Sequence, residues 1–300
     1  MRKNQRTAFI RPNPVAPNIL LAYAVCNDYR NYPMHKLINL ALAYFLLTAS
    51  MQNQAQTENP PAQEFERPAI FDSKPYAELG ASYEGLTNGY APWQSQYLDV
   101  MLPFKQNGLI YLQLQNVQRF SEVDQSAYLN YAYPMKYGVI NIEGGHTQNP
   151  QFLSKNLYGA GWNGKLPYSF NYLISGRESS YLDGRTSNQN IGLDRYFSQF
   201  RLAYVASYST LNSQKSGWLN KFQAQWLGEG NNKLGLSYST GHEPTVVTVG
   251  NLTTVDTQQY QLDGLYWLSP DLGLTAAIWH AKQGGYYQRN GGQLGIRMAF

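Results

Sequence analysis

The chain closes on Leu294-Gly295-Ile296-Arg297-Met298-Ala299-Phe300. Side chains alternate across a strand, so Leu294, Ile296, Met298 and Phe300 share one face while Gly295, Arg297 and Ala299 share the other. The stretch is a strand with one apolar side that runs to the final residue. The remainder of the chain can be tested against that reading.

From Tyr76 onward, Gly, Pro, Asn and Asp signals bound fourteen candidate strands. They cover 76–85, 96–104, 109–118, 125–133, 137–146, 156–164, 168–177, 189–197, 200–209, 217–227, 232–241, 257–267, 272–281 and 291–300. Twelve strands remain if two of these are wrongly divided. Each has the length of a tilted membrane strand, about ten residues. Leu98, Val100, Leu102 and Phe104 oppose Tyr97, Asp99 and Met101, and Leu234, Leu236 and Tyr238 oppose Gly235, Ser237 and Ser239. Strands five and eight read ambiguously. Val139 and Ile140 are adjacent, and Arg195 falls on the apolar register of Ile191 and Leu193. Longer gaps follow odd strands and shorter ones follow even strands, as in an up-and-down barrel with both ends on the periplasmic side. The expected fold is all-β: an antiparallel transmembrane β-barrel of about fourteen strands. A terminal aromatic on such a strand resembles the signal by which outer-membrane barrels are recognised for assembly. Residues Leu294, Ile296, Met298 and Phe300 carry it, and the implied partners are outer-membrane lipid and the barrel-assembly machinery.

Composition agrees. Charged residues make up 14% of the chain, against roughly 25% in soluble domains. The 25 tyrosines and six tryptophans suit rings that meet acyl chains on one side and water on the other. Residues 1–50 hold six of the 23 basic residues and one of the 19 acids, so the rest is nearly neutral, 17 against 18. That balance excludes a nucleic-acid partner. The lone cysteine, Cys26, permits no internal disulfide.

The leader divides in three. Residues 37–49 are an apolar run behind His35 and Lys36, the layout of a secretory signal and too short to span a bilayer as a helix. The expectation is an upstream extension over 1–33 with the true start at Met34, a signal peptide over 34–56, a flexible periplasmic tail over 57–75 and the barrel over 76–300.

Leu272-Gly273-Leu274-Thr275-Ala276, then Trp279, then a glycine-rich loop, Gly292-Gln293-Leu294 and the terminal strand resemble the YaiO family of outer-membrane β-barrels. Weaker matches lie in the stretch from Gly176-Arg177 to Asp194-Arg195-Tyr196 and from Asn220 to Trp226. The resemblance implies a signal peptide, an outer-membrane location and a single barrel. It brings no catalytic signature, and residues 1–33 depart from it.

No metal, phosphate or cofactor motif occurs, so no cofactor is expected. His280 follows Leu274, Ala276 and Ile278 outward, but its expected neighbours include no nucleophile, and no enzyme is expected. Trp218, Trp226, Trp279 and His280 are assigned to an interfacial girdle. Glu78, Glu84, Asp99, Arg177, Arg201, Asp263 and Arg297 are assigned to the lumen. There they either form ion pairs that plug the barrel or line an aqueous path and set its selectivity. No long inward-folding loop is evident, though 242–256 is apolar enough to fold in or dock a partner. The functional expectation is a bacterial outer-membrane barrel, porin-like, with a structural, assembly-linked or small-solute or export channel role. The rivals are an outer-membrane lipid-modifying enzyme and a secreted glycan-binding β-protein.

Overall fold

The computed structural model describes residues 73–300 apart from 105–106, 120 and 249–250. The start, signal and most of the tail expected from sequence lie outside these residues. Fourteen strands follow in order: β1 (Tyr76–Leu86), β2 (Trp93–Pro103), β3 (Leu109–Arg119), β4 (Glu122–Met135), β5 (Gly138–Gln148), β6 (Asn156–Leu166), β7 (Phe170–Ser180), β8 (Arg185–Phe197), β9 (Phe200–Leu211), β10 (Lys215–Leu227), β11 (Lys233–Thr248), β12 (Asn251–Trp267), β13 (Leu272–Gln283) and β14 (Tyr287–Ala299). Each pairs antiparallel with its sequence neighbours. The β1–β14 pair, from Tyr76↔Ala299 to Leu86↔Arg289, closes the cylinder. Closure satisfies every strand edge sideways, which an apolar solvent demands.

The exterior is apolar. Leu79, Leu114, Ile142, Ile174, Ile191, Phe222, Leu236, Ile278 and Ile296 all project outward and are exposed, Ile278 at 62% and Leu294 at 72%. Such a surface is stable only against acyl chains, and an even-stranded, single-chain antiparallel barrel is the architecture of the bacterial outer membrane. A soluble glycan-binding sandwich is thereby set aside. Asn220, the one polar residue on the outward side of β10 between Trp218 and Phe222, accepts a 2.7 Å hydrogen bond from the Tyr204 hydroxyl. Removing its amide should therefore not stabilise the barrel. Asn220→Leu strands the tyrosine hydroxyl and is expected to cost about 1 kcal/mol, measured by urea unfolding in vesicles.

Two expectations need correction. The strands run from 11 to 17 residues, longer than expected, and the loop lengths are not sorted by parity. What differs is strand extension. Residues 242–256, expected as a loop, are mostly β-ladder: β11 and β12 stay paired from Lys233↔Leu265 up to Thr248↔Asn251, with a register shift between Val246 and Thr248. The hairpin projects beyond the other strands. The β-branched Thr and Val residues of this segment suit an extended ladder, and pairing satisfies backbone groups that a loop would leave to water. We call the end carrying Tyr76 and Ala299 the base and the opposite end the rim.

Candidate functional site: the barrel lumen

The inner face has two different walls. On β2–β5 it is apolar towards the base. Met101, Leu109, Tyr111, Ala132 and Val139 form a buried cluster, with Tyr76 and Tyr128 packed against it. On β7–β13 it is short and polar. Ser175, Asn188, Ser207, Ser209, Gln223, Ser239, Gln259 and Gln261 face inward and remain partly exposed.

All seven charges assigned to the lumen face inward, and the structure gives most of them partners. Arg297 on β14 donates to Glu78 on β1, at 2.8 Å from Nε and 2.7 Å from Nη2. Arg289 donates to Glu84 at 2.8 Å. Arg177 forks onto Glu143 at 2.6 and 2.5 Å, and the Tyr128 hydroxyl donates to the same carboxylate. That bridge runs from β5 to β7 across β6, and it can do so because Gly159 lies beneath it. A Cβ there would stand 2.2 Å from Glu143 Oε1. Arg201 donates to Asp194 at 3.1 Å. Asp99 accepts from Gln113 at 3.0 Å and Asp263 from Gln261 at 3.3 Å. Largely buried pairs of this kind offset desolvation through geometry, so losing one partner costs more than the pair contributes. Lys221 and Lys233 also point inward, on β10 and β11.

At the rim, the short β5–β6 connection, 149–155, folds into the lumen. Asp124 on β4 is fully buried. Its carboxylate accepts the backbone N–H groups of Gln151 (2.7 Å), Phe152 (3.0 Å) and Leu153 (2.7 Å). The turn thereby presses Phe152 and Leu153 against Val117. Beside it, Arg119 and Arg289 stack over the Trp93 ring with centroid distances of 4.4 and 4.9 Å, and Arg119 also reaches Phe152 at 5.3 Å. Tyr287 meets Trp93 edge-on at 5.9 Å. Tyr181, in the β7–β8 connection, is buried enough that its hydroxyl is pushed up to about 12 and stays neutral. Together these groups narrow the rim mouth from one side.

The girdle splits. Trp218 and Trp226 point outward near the two ends of β10, and Trp218 packs on Tyr208 at 4.8 Å. His280 is on the outer face too, its Nδ1 2.7 Å from Asn290 Oδ1 and its other cross-strand neighbour Tyr260. Trp279 does not belong there. It is one residue from His280, so alternation turns it inward, where its Nε1 donates to Glu84 at 3.2 Å and its ring lies over Gly291. Trp162, missed from sequence, takes an outward place near the base and donates to Tyr172 at 3.0 Å.

Glu143, Asp194, Arg289 and Asp124 were not singled out from sequence. The first two lie on the two strands whose register was ambiguous, and the last two lay in presumed loops. Among the described residues no cluster suited to a metal ion occurs.

No family model matches the chain, and no curated protein does. Solved structures to which the chain is similar include a bacterial polysaccharide outer membrane secretin (12% identity, 76% of this chain and 98% of that one, TM-score 0.48). The outer membrane protein Omp33 of Acinetobacter baumannii is another (11%, 76% and 99%, 0.45). A third is the KdgM porin in complex with disordered oligogalacturonate (8%, 74% and 99%, 0.44).

Proposed function

We propose that this barrel passes small hydrophilic solutes across the outer membrane, through a lumen narrowed at the rim by the β5–β6 connection. The polar inner wall of β7–β13 carries the reading. A plugged barrel has no need of a continuous tract of partly exposed serine, asparagine and glutamine, whereas a water-filled path does. Fourteen strands give a cylinder wider than the side-chain-filled eight-stranded barrels and narrower than the sixteen-stranded porins. Because most wall charges are neutralised by neighbours, the preferred solutes are small and uncharged or zwitterionic, with weak ion selectivity. The YaiO resemblance agrees with the location and says nothing of the solute.

The reading includes no catalytic step, since the outward His280 has Tyr260 and Asn290 beside it rather than a nucleophile. It does include recognition of the terminal strand by the assembly machinery, because Leu294, Ile296, Met298 and Phe300 all project outward. Phe300→Ser is expected to lower the inserted yield in cells and leave refolding in detergent unchanged. Equal yields in cells would remove that part. The channel itself is tested by planar-bilayer recording and by liposome swelling with neutral sugars. Discrete conductance steps and swelling are expected. If neither is seen, the barrel is plugged and its role is structural.

A further inference from the structure

The outer wall carries a polar tract that the fold leaves unmet. Gln94 stands opposite Gln118. In the next row, Gln96, Asn116, Gln125 and Gln148 oppose one another in turn across β2, β3, β4 and β5. None of these six amides has a hydrogen-bond partner within the described protein. Other outward polar groups are paired, as in Tyr204 with Asn220 and His280 with Asn290, and so is His146 beside the tract, with Asn156. Outward amides on β8, β12 and β14 stand singly, at Gln189, Gln258 and Gln288.

The level of the tract is informative. Gln96 and Asn116 each lie seven residues above the base end of their strands. Tyr260, in the aromatic girdle of the opposite wall, lies seven above the base end of β12. The amides thus occupy the headgroup level of the rim-side leaflet. Four of them border a shallow, open groove of about 500 Å³ that is also lined by Leu79, Leu98, Leu114, Ala127 and His146. No charged residue faces outward on β1–β6. An apolar floor at acyl depth under a dense, uncharged donor–acceptor row complements one amphipathic molecule. A phosphate headgroup would call for Lys or Arg, and none is present. Hydroxyl groups, which both donate and accept, match primary amides.

We infer that this groove binds a glycolipid of the surrounding leaflet, its acyl chain along Leu79, Leu98 and Leu114 and its sugar hydroxyls on the amide row. The test is native mass spectrometry of the full chain in lauryldimethylamine oxide, titrated with digalactosyl diacylglycerol or with phosphatidylglycerol of the same acyl chains. The galactolipid should be retained at about tenfold lower concentration. The triple variant Gln96→Leu/Asn116→Leu/Gln125→Leu should lose that preference and still migrate as a folded barrel on unheated gels. Asn116→Ala, which adds no bulk, covers the case in which the triple variant misfolds, and should weaken the preference. Equal retention of the two lipids, or a preference that survives in both variants, overturns the inference. A dimer of the wild-type chain that the triple variant abolishes also overturns it, because a second copy would then fill the groove.

Discussion

Replacing Asp124 by alanine should release the β5–β6 connection, raise single-channel conductance and lower stability by about 2–3 kcal/mol. The fully buried carboxylate satisfies three consecutive backbone donors, of which those of Phe152 and Leu153 are buried with it. Each buried donor left alone costs about 1–3 kcal/mol, so the closed arrangement loses several kcal/mol at once. Opposing this is the apolar contact of Phe152 and Leu153 with Val117. Burying each of these side chains is worth roughly 1.5–3 kcal/mol. The two effects are comparable, but only one can be recovered. A connection that swings out gives its N–H groups to water, while one that stays in has nothing for them. The open form is therefore favoured in the variant, and its cost is capped by the lost packing. Asp124→Asn keeps an acceptor oxygen but loses the charge-assisted strength and turns a donor towards the N–H groups, so it should fall between. Limited proteolysis of the folded barrel provides a readout independent of conduction: cleavage within 149–155 should appear in the alanine variant. An intact connection with unchanged conductance would show that Asp124 is not the clamp.

The architecture was legible because a membrane barrel imposes two simple demands on its sequence, period-two alternation and closure. The fourteen strands therefore stand close to where alternation places them, and the terminal strand does pair with β1. Alternation became unreadable where the interior is itself apolar or the exterior charged. Val139 disturbed strand five because it faces inward, into the cluster with Leu109 and Ala132. Arg195 disturbed strand eight because it faces outward near the base, held between the faces of Phe170 and Phe197 at 5.0 and 4.7 Å. The ambiguous register of those two strands concealed Glu143 and Asp194, the partners of Arg177 and Arg201. The inward fold of residues 149–155 had no local signature either. Its cause is a carboxylate some 27 residues earlier in the chain, and a contact of that kind has no periodicity to betray it.

The other large effect is expected at the seam. Glu78→Ala should destabilise the closed barrel by about 3–5 kcal/mol, seen as a lower melting transition on heat-modifiable gels. Glu78 is only 3% exposed and is the meeting point of four strands. From β14 it receives Arg297, from β2 the Tyr97 hydroxyl at 2.8 Å, and from β13 the Thr275 hydroxyl at 2.8 Å. Tyr97 can reach it because Gly80 and Gly295 have no side chain. A Cβ would stand 2.2 Å from the Tyr97 hydroxyl oxygen at the first and 2.7 Å at the second, and Gln293 then donates to that hydroxyl at 2.7 Å. A second pair, Glu84 with Arg289, crosses the same seam nearer the rim. Two of the lumen's ion pairs thus join the first strand to the last, the one contact in an up-and-down barrel that no hairpin provides. Forming it closes the longest loop in the chain and gains least from local connectivity. If closure is their purpose, Arg297→Glu, which sets a second acid against Glu78, should be worse than Glu78→Ala. The charge-swapped double variant Glu78→Arg/Arg297→Glu should regain part of the loss, since the cross-strand register Glu78↔Arg297 is unchanged. Refolding into vesicles should slow in both single variants while unfolding quickens less. Equal effects from Arg201→Ala, whose pair joins the neighbouring strands β8 and β9, would show that position at the seam confers nothing special.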